Sequence, residues 1–207
     1  MRDVVRVWCL RHGESENVTT GTAGMLPLAP LTVEGHRQAA AAAERLAGEP
    51  LTAVWCSEAL RARQTAAHLR DRFDLPVHTL PGLNEVGIGS KEGATDAATR
   101  RRTAEVLHSW VVDGNLDDRV ADGENGHQVR ERVTDAFAQI ALAASGGTVA
   151  VVGHVASLTV GLGLLCGLGR HVWGAPLPHA TPFLVAQEAG IWRCVSWPGV
   201  VDEPMVG

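Results

Sequence analysis

Apolar positions along the chain fall into short runs that alternate between two patterns. Val4 to Leu10 is a valine-rich apolar run broken only by Arg6 and reads as a buried strand. Thr32 caps a helix that passes through Ala39–Ala43 to Leu46, and Gly48 stops it. Leu51 to Cys56 reads as a second strand. Ser57 is placed to cap the next helix, which runs through Arg61, Ala66 and Leu69 to about Phe73. Val77 to Leu80 is a short third strand. From Gln128, the residues Val129, Val133, Ala136, Phe137 and Ile140 recur at helical spacing. Thr148–Val152 is another β-branched strand, and a small-residue helical stretch follows Gly153-His154. Pro182 to Gln187 and Ile191 to Trp197 read as closing strands, with a tail from Pro198.

The middle, Pro81 to Asn125, is less regular and holds one helix near Ala97 to Val112 between polar loops. The alternation predicts one α/β domain over residues 1–207, with a largely parallel sheet and helices on both faces. Thr148 to Leu168 is almost uncharged and about long enough to span a bilayer. The β-branched start and the Gly153-His154 interruption instead predict a buried strand feeding a buried helix.

Composition narrows the function classes. The 207 residues are 45% hydrophobic and 20% charged, which suits a globular domain with a sizeable core. A formal net charge of -5 gives no basic footprint for nucleic acid or an anionic membrane. Any phosphate binding must come from a few focused cations. Cys9, Cys56, Cys166 and Cys194 are far apart, and the first two are expected as buried, reduced thiols. The start, Met1-Arg2-Asp3-Val4, lacks the apolar stretch of a signal peptide, so a cytoplasmic enzyme is expected.

In a parallel sheet, ligands sit at the carboxyl ends of the strands. Three predicted strands end there in residues that handle phosphate. They deliver Arg11-His12-Gly13, then Ser57 with Arg61 one turn into the helix, then Gly153-His154. Glu85 follows the short strand. A neutral His12 is the candidate nucleophile, one ring nitrogen attacking phosphorus while a backbone carbonyl holds the other. Arg11 and Arg61 offer forks that match phosphoryl oxygens. His154 adds a donor for the equatorial oxygens. Glu85 is the candidate acid for the leaving alkoxide, with Glu92 and Glu14 as alternatives. Asn17 and Ser57 are candidate substrate contacts, Ser57 being equally placed as a helix cap.

These residues lie in a recognisable pattern. Leu10-Arg11-His12-Gly13-Glu14-Ser15 resembles the signature of the histidine phosphatase superfamily, which includes the cofactor-dependent phosphoglycerate mutases. The resemblance continues at Pro30-Leu31-Thr32-x-x-Gly35-x-x-Gln38-Ala39 and at Ser57-x-x-x-Arg61-Ala62-x-x-Thr65-Ala66. It continues at Leu83-Asn84-Glu85-x-x-x-Gly89-x-x-Glu92-Gly93 and at Val152-Gly153-His154. It implies a three-layer α/β/α sandwich, phosphoglycerate mutase-like, and a His12 that becomes phosphohistidine. Arg11, Arg61 and His154 complete the implied phosphate pocket, and Glu85 is the implied proton donor. No metal and no cofactor are implied.

The chain also departs from the family. Val18 stands where many members carry asparagine, and Asn17 comes one residue early. There is no tyrosine, and the longer basic insertion of the mutases is missing. Arg100-Arg101-Arg102 lies in the corresponding region and reads as a solvated helix face, the alternative being a site for a substrate carboxylate or second phosphate. Asp113-x-Asn115-x-Asp117 with Glu124 nearly spells a calcium loop, but its sixth position is Asp118 rather than glycine. Trp110 and Trp173 are expected in the core, the alternative being that they line the pocket beyond the phosphate. The expectation is a phosphomonoesterase acting on a small phosphorylated metabolite, with Pro81–Asn125 on the substrate side. The alternatives are a phosphoglycerate-type mutase and an inactive phospho-ligand or partner-binding relative. Neither nucleic acid nor membrane is an expected partner, and a homodimer is compatible with the sequence.

Overall fold

The computed structural model describes residues 4–199, so the tail expected from Pro198 lies, from residue 200 onward, outside the described residues. Strand β1 (Val5–Arg11) sends Val5, Val7 and Cys9 to one face and Leu10 to the other. Both faces are covered, which explains a nearly continuous apolar run. After a short helix α1 (Glu16–Thr19) comes α2 (Val33–Arg45), whose N-cap Thr32 accepts from the Gly35 N–H at 3.0 Å. Strand β2 (Leu51–Cys56) leads into α3 (Leu60–Phe73), and β3 (Val77–Thr79) follows. Helix α4 (Ala97–His108) starts at the Asp96 cap and runs into a π-helical turn, Ser109–Asp113. Then come α5 (Gly126–Ala144), β4 (Thr148–Gly153), α6 (Val155–Leu165), β5 (Phe183–Glu188) and β6 (Ile191–Cys194).

The six strands form one mixed sheet in the order β3-β2-β4-β1-β5-β6. The first four are mutually parallel, while β5 runs antiparallel to β1 and β6 antiparallel to β5. Helices α2 and α3 cover one face, where Ala42, Ala43, Ala62, Ala66 and Leu69 meet Leu10, Val54, Ala150 and Val152. Their alanines allow close helix packing. Helices α5 and α6 cover the other face, where Val133, Phe137, Ile140, Leu158 and Leu162 meet Val7, Cys9, Val149 and Val151. Burying each large side chain there stabilises the fold by roughly 1.5–3 kcal/mol. The α/β class with helices on both faces is as expected, and Thr148–Leu165 is a buried strand and helix. No helix among the described residues is long and apolar enough to cross a membrane.

Parallel register aligns the site. Arg11 pairs with Gly153, and Cys56 with Val152, so β1, β2 and β4 end level at one edge of the sheet. Three local expectations change. Ser57 does not cap α3, because the helix begins at Leu60 with Ala59 as N-cap. Helix α5 starts before Gln128, which is instead the third residue of a capping box with Asn125. The helix expected to Val112 gives way after His108 to the π turn.

Candidate active site

His12 sits just past β1, 3% exposed. Its Nδ1 lies 2.6 Å from the Gly13 carbonyl oxygen, and its Nε2 lies 3.1 Å from the Arg61 Nε. A carbonyl only accepts and a guanidinium only donates, so the network assigns Nδ1–H and leaves the Nε2 lone pair facing Arg61. Burial, and then the adjacent Arg61 charge, push the His12 pKa well below the ordinary 6.5, so the ring is neutral. The backbone is clamped as well. The Gly13 N–H donates to Thr65 Oγ1 at 3.0 Å, and His179 Nδ1 lies 3.0 Å from the His12 carbonyl oxygen. A Cβ on Gly13 would collide with the Gly35 carbonyl, and one on Gly35 with the Glu14 carbonyl. These glycines are there because two backbones touch.

Arg61 is 1% exposed and is held from several sides. Its Nη1 donates to the Leu26 carbonyl at 2.8 Å, and its Nη2 to the Met25 carbonyl at 2.9 Å and to His154 Nδ1 at 3.2 Å. His154, fully buried at the N-cap of α6, therefore accepts through Nδ1 and donates Nε2–H to Ser57 Oγ at 2.6 Å. Burial, then the nearby His12 and Arg61, push its pKa well below 6.5. The neutral ring has no N–H left over. The phosphate-donor role expected of His154 is therefore not open to the neutral ring, which also does not line the cavity beside His12. Ser57, expected as a substrate contact, is a buried acceptor for His154 and does not line the cavity.

Glu85 accepts through Oε1 from the N–H groups of Val86 and Ser157, both at 2.9 Å, and through Oε2 from the Ala156 N–H at 3.3 Å. Two of these donors are in the first turn of α6, where a carboxyl group is favoured by the helix dipole. Its loop is strapped by Arg132 of α5, which donates to the carbonyls of Gly82, Asn84 and Glu85 and pairs with Glu124 at 2.7 Å. Sequence reasoning missed Arg132 and His179, and had Thr65 only as a member of the family pattern, without its bond to Gly13. Arg132 had a readable signal, a charge beside Val133 on the apolar stripe of α5. Arg11 donates from Nη1 to the Leu177 carbonyl at 3.0 Å, and its Nε is buried with no acceptor.

Arg11, His12, Arg61 and Glu85 all line one cavity of about 190 Å³. Asn17 lines it too, with Oδ1 bonded to Ser15 Oγ at 2.7 Å, which turns its amide N–H₂ outward. The rest of the wall is largely apolar, with Val18, Val86, Ile88, Val106, Trp110 and Val120. The alternative acids are occupied elsewhere. Glu14 accepts from Thr32 Oγ1 at 2.8 Å, and Glu92 from the Met25 N–H at 2.7 Å. Arg100, Arg101 and Arg102 are exposed and do not reach the cavity. Trp110 is buried as expected, but Trp173 is 39% exposed and stacks edge-on against His108.

Comparison with known proteins identifies the family. The model of "Histidine phosphatase superfamily (branch 1)" matches residues 7–198. An adenosylcobalamin/alpha-ribazole phosphatase of Escherichia coli K12 is 30% identical over 165 residues, 79% of this chain and 80% of that protein. The Salmonella typhimurium LT2 protein of the same name is 38% identical over 110 residues, so that match spans about half of either chain (53% and 54%). The solved structure of mycobacterial glucosyl-3-phosphoglycerate phosphatase superposes with a TM-score of 0.79 at 25% identity, covering 94% of this chain and 98% of that one.

Proposed function

The chain belongs to the histidine phosphatase superfamily, and on that premise we propose that it hydrolyses a small phosphomonoester through a phosphohistidine on His12. The observation that carries this is the buried, neutral His12, its Nε2 lone pair held by the Arg61 Nε–H on the wall of a cavity that Arg11, Arg61 and Glu85 also line. An incoming phosphoryl group takes N–H donors from Arg61, from the unpartnered Arg11 Nε and from the Asn17 amide. The Nε2 lone pair attacks phosphorus as the ester P–O bond breaks. Protonated Glu85 gives its proton to the leaving oxygen, and the alcohol departs. The Gly13 carbonyl stabilises the positive charge that the phosphorylated ring acquires. Water then attacks phosphorus, Glu85 takes its proton, and the N–P bond breaks to restore His12 and release inorganic phosphate.

His154 lies behind this cavity and acts through Arg61, accepting the Nη2 N–H at 3.2 Å and so holding the guanidinium in place. The cavity wall also supports hydrolysis over phosphoglycerate mutation. Beyond Arg11 and Arg61 it has no cation to pair with a substrate carboxylate. Four free cysteines fit a reducing, cytoplasmic setting. The test is a phosphate-release assay on a panel of esters with wild type and His12→Ala, in excess chelator. The expected result is release by wild type and none by the variant, with acid-labile, base-stable label trapped on His12. Label on any other residue, or a chelator-sensitive rate restored by a divalent ion, would overturn the assignment.

A further inference from the structure

A second cavity of about 240 Å³ adjoins the first, and the two share Leu107, Val155 and Ala156. It lies between the C-terminal half of α4, the start of α6 and the segment Val172–Pro176. Its wall contains no charged side chain, and its one side-chain hydroxyl is that of Thr159. The π turn divides the two spaces, with Trp110 lining the inner one and Val111 the outer. Such turns are rare and cluster at functional sites. Trp173 forms the exposed rim, its ring 5.2 Å from that of His108.

Size decides what this arrangement admits. A cavity of roughly 150 Å³ is filled by one benzene ring. The inner cavity, about 190 Å³, must also hold the phosphoryl group. An alcohol much larger than one ring has to continue elsewhere, and the adjoining apolar space is separated only by the half-buried Leu107 and Val155 and by Ala156. We infer that the outer cavity is a leaving-group subsite, and that the substrate is the phosphomonoester of a neutral alcohol with an extended apolar tail that passes Leu107. This rests on the phosphatase reading above. A tail bearing a carboxylate or a second phosphate would be desolvated there with no cation to meet it.

The test is a series of 4-n-alkylphenyl phosphates, from unsubstituted to pentyl, in which the leaving-group acidity barely changes. For wild type, kcat/KM should rise about threefold per added carbon over several carbons. Ala175→Trp, on the exposed segment, and Thr159→Trp, on α6, each fill the outer cavity. In both, the ratio of kcat/KM for the pentyl over the unsubstituted ester should fall toward one. A ratio cancels any general loss of folded enzyme. A flat series in wild type, or variants that keep the wild-type ratio, would overturn the subsite while leaving the phosphatase standing. Failure to release phosphate from any ester would overturn both.

Discussion

Ser57→Ala is the sharpest probe of the buried network. Ser57 Oγ is the acceptor 2.6 Å from His154 Nε2, and His154 is fully buried. Removing the hydroxyl strands a buried N–H, at a cost of about 1–3 kcal/mol. The ring cannot escape by changing tautomer. A proton on Nδ1 would point at the Arg61 Nη2, which is also a donor, 3.2 Å away. At about 2 kcal/mol, the melting temperature of a domain this size drops by roughly 4–8 °C. If the same misplacement is felt in the transition state, kcat falls by about 5- to 150-fold. Ser57→Thr keeps the hydroxyl and should recover most of both losses. The assays are thermal unfolding and steady-state phosphate release on the same preparations. An alanine variant with wild-type melting temperature and kcat would refute the claim that Ser57 orients His154.

Titration of the His12 and His154 ring nitrogens by NMR should place both midpoints below 6.5 in the free protein. Because the folded-state values are depressed, the unfolded chain binds more protons below pH 6.5, so stability in urea should fall as pH drops through that point. Gly35→Ala forces the backbone of Glu14 away, and should lower the urea midpoint as well as the phosphate-release rate. Arg132→Met frees three loop carbonyls and leaves Glu124 unpaired, so hydrogen exchange at Gly82–Glu85 should accelerate and kcat should fall more than KM changes.

What was legible in the sequence is what repeats or what must be of one residue type. Thr148–Val152 and the stripe of α5 are strong because burial on a fixed period leaves few other side chains possible. His12, Arg11, Arg61 and Glu85 were locatable because strand ends deliver them to one edge. Ser57 was not, because a hydroxyl after a strand reads equally as a cap, and only the distance to His154 decides. The start of α5 was placed late because its apolar stripe begins at Val129, whereas its true start is the polar Asn125-Gln128 pair. The π turn at Ser109–Asp113 leaves no mark on a 3.6-residue period. Trp173 was expected inside because its size argues for burial, yet its ring covers a cavity rim instead.

The loop before α2 is the least legible part of the site, and its hydrogen bonds explain why. It contributes no charged side chain to the cavity. Its contribution to the site is two backbone carbonyls, of Met25 and Leu26, which accept N–H groups from Arg61. Any residue supplies a carbonyl, so no residue type marks the role. The conformation does: Leu26 adopts φ 37°, a region that side chains with a Cβ disfavour. Arg61 is desolvated and its charge needs acceptors, which the loop provides. Both are hydrogen bonds from an ionised donor, roughly twice as strong as those between neutral groups. One guanidinium thus ties residues 25–26 to the sheet edge that carries His12, through Nη1 and Nη2 on the loop side and Nε on the His12 side.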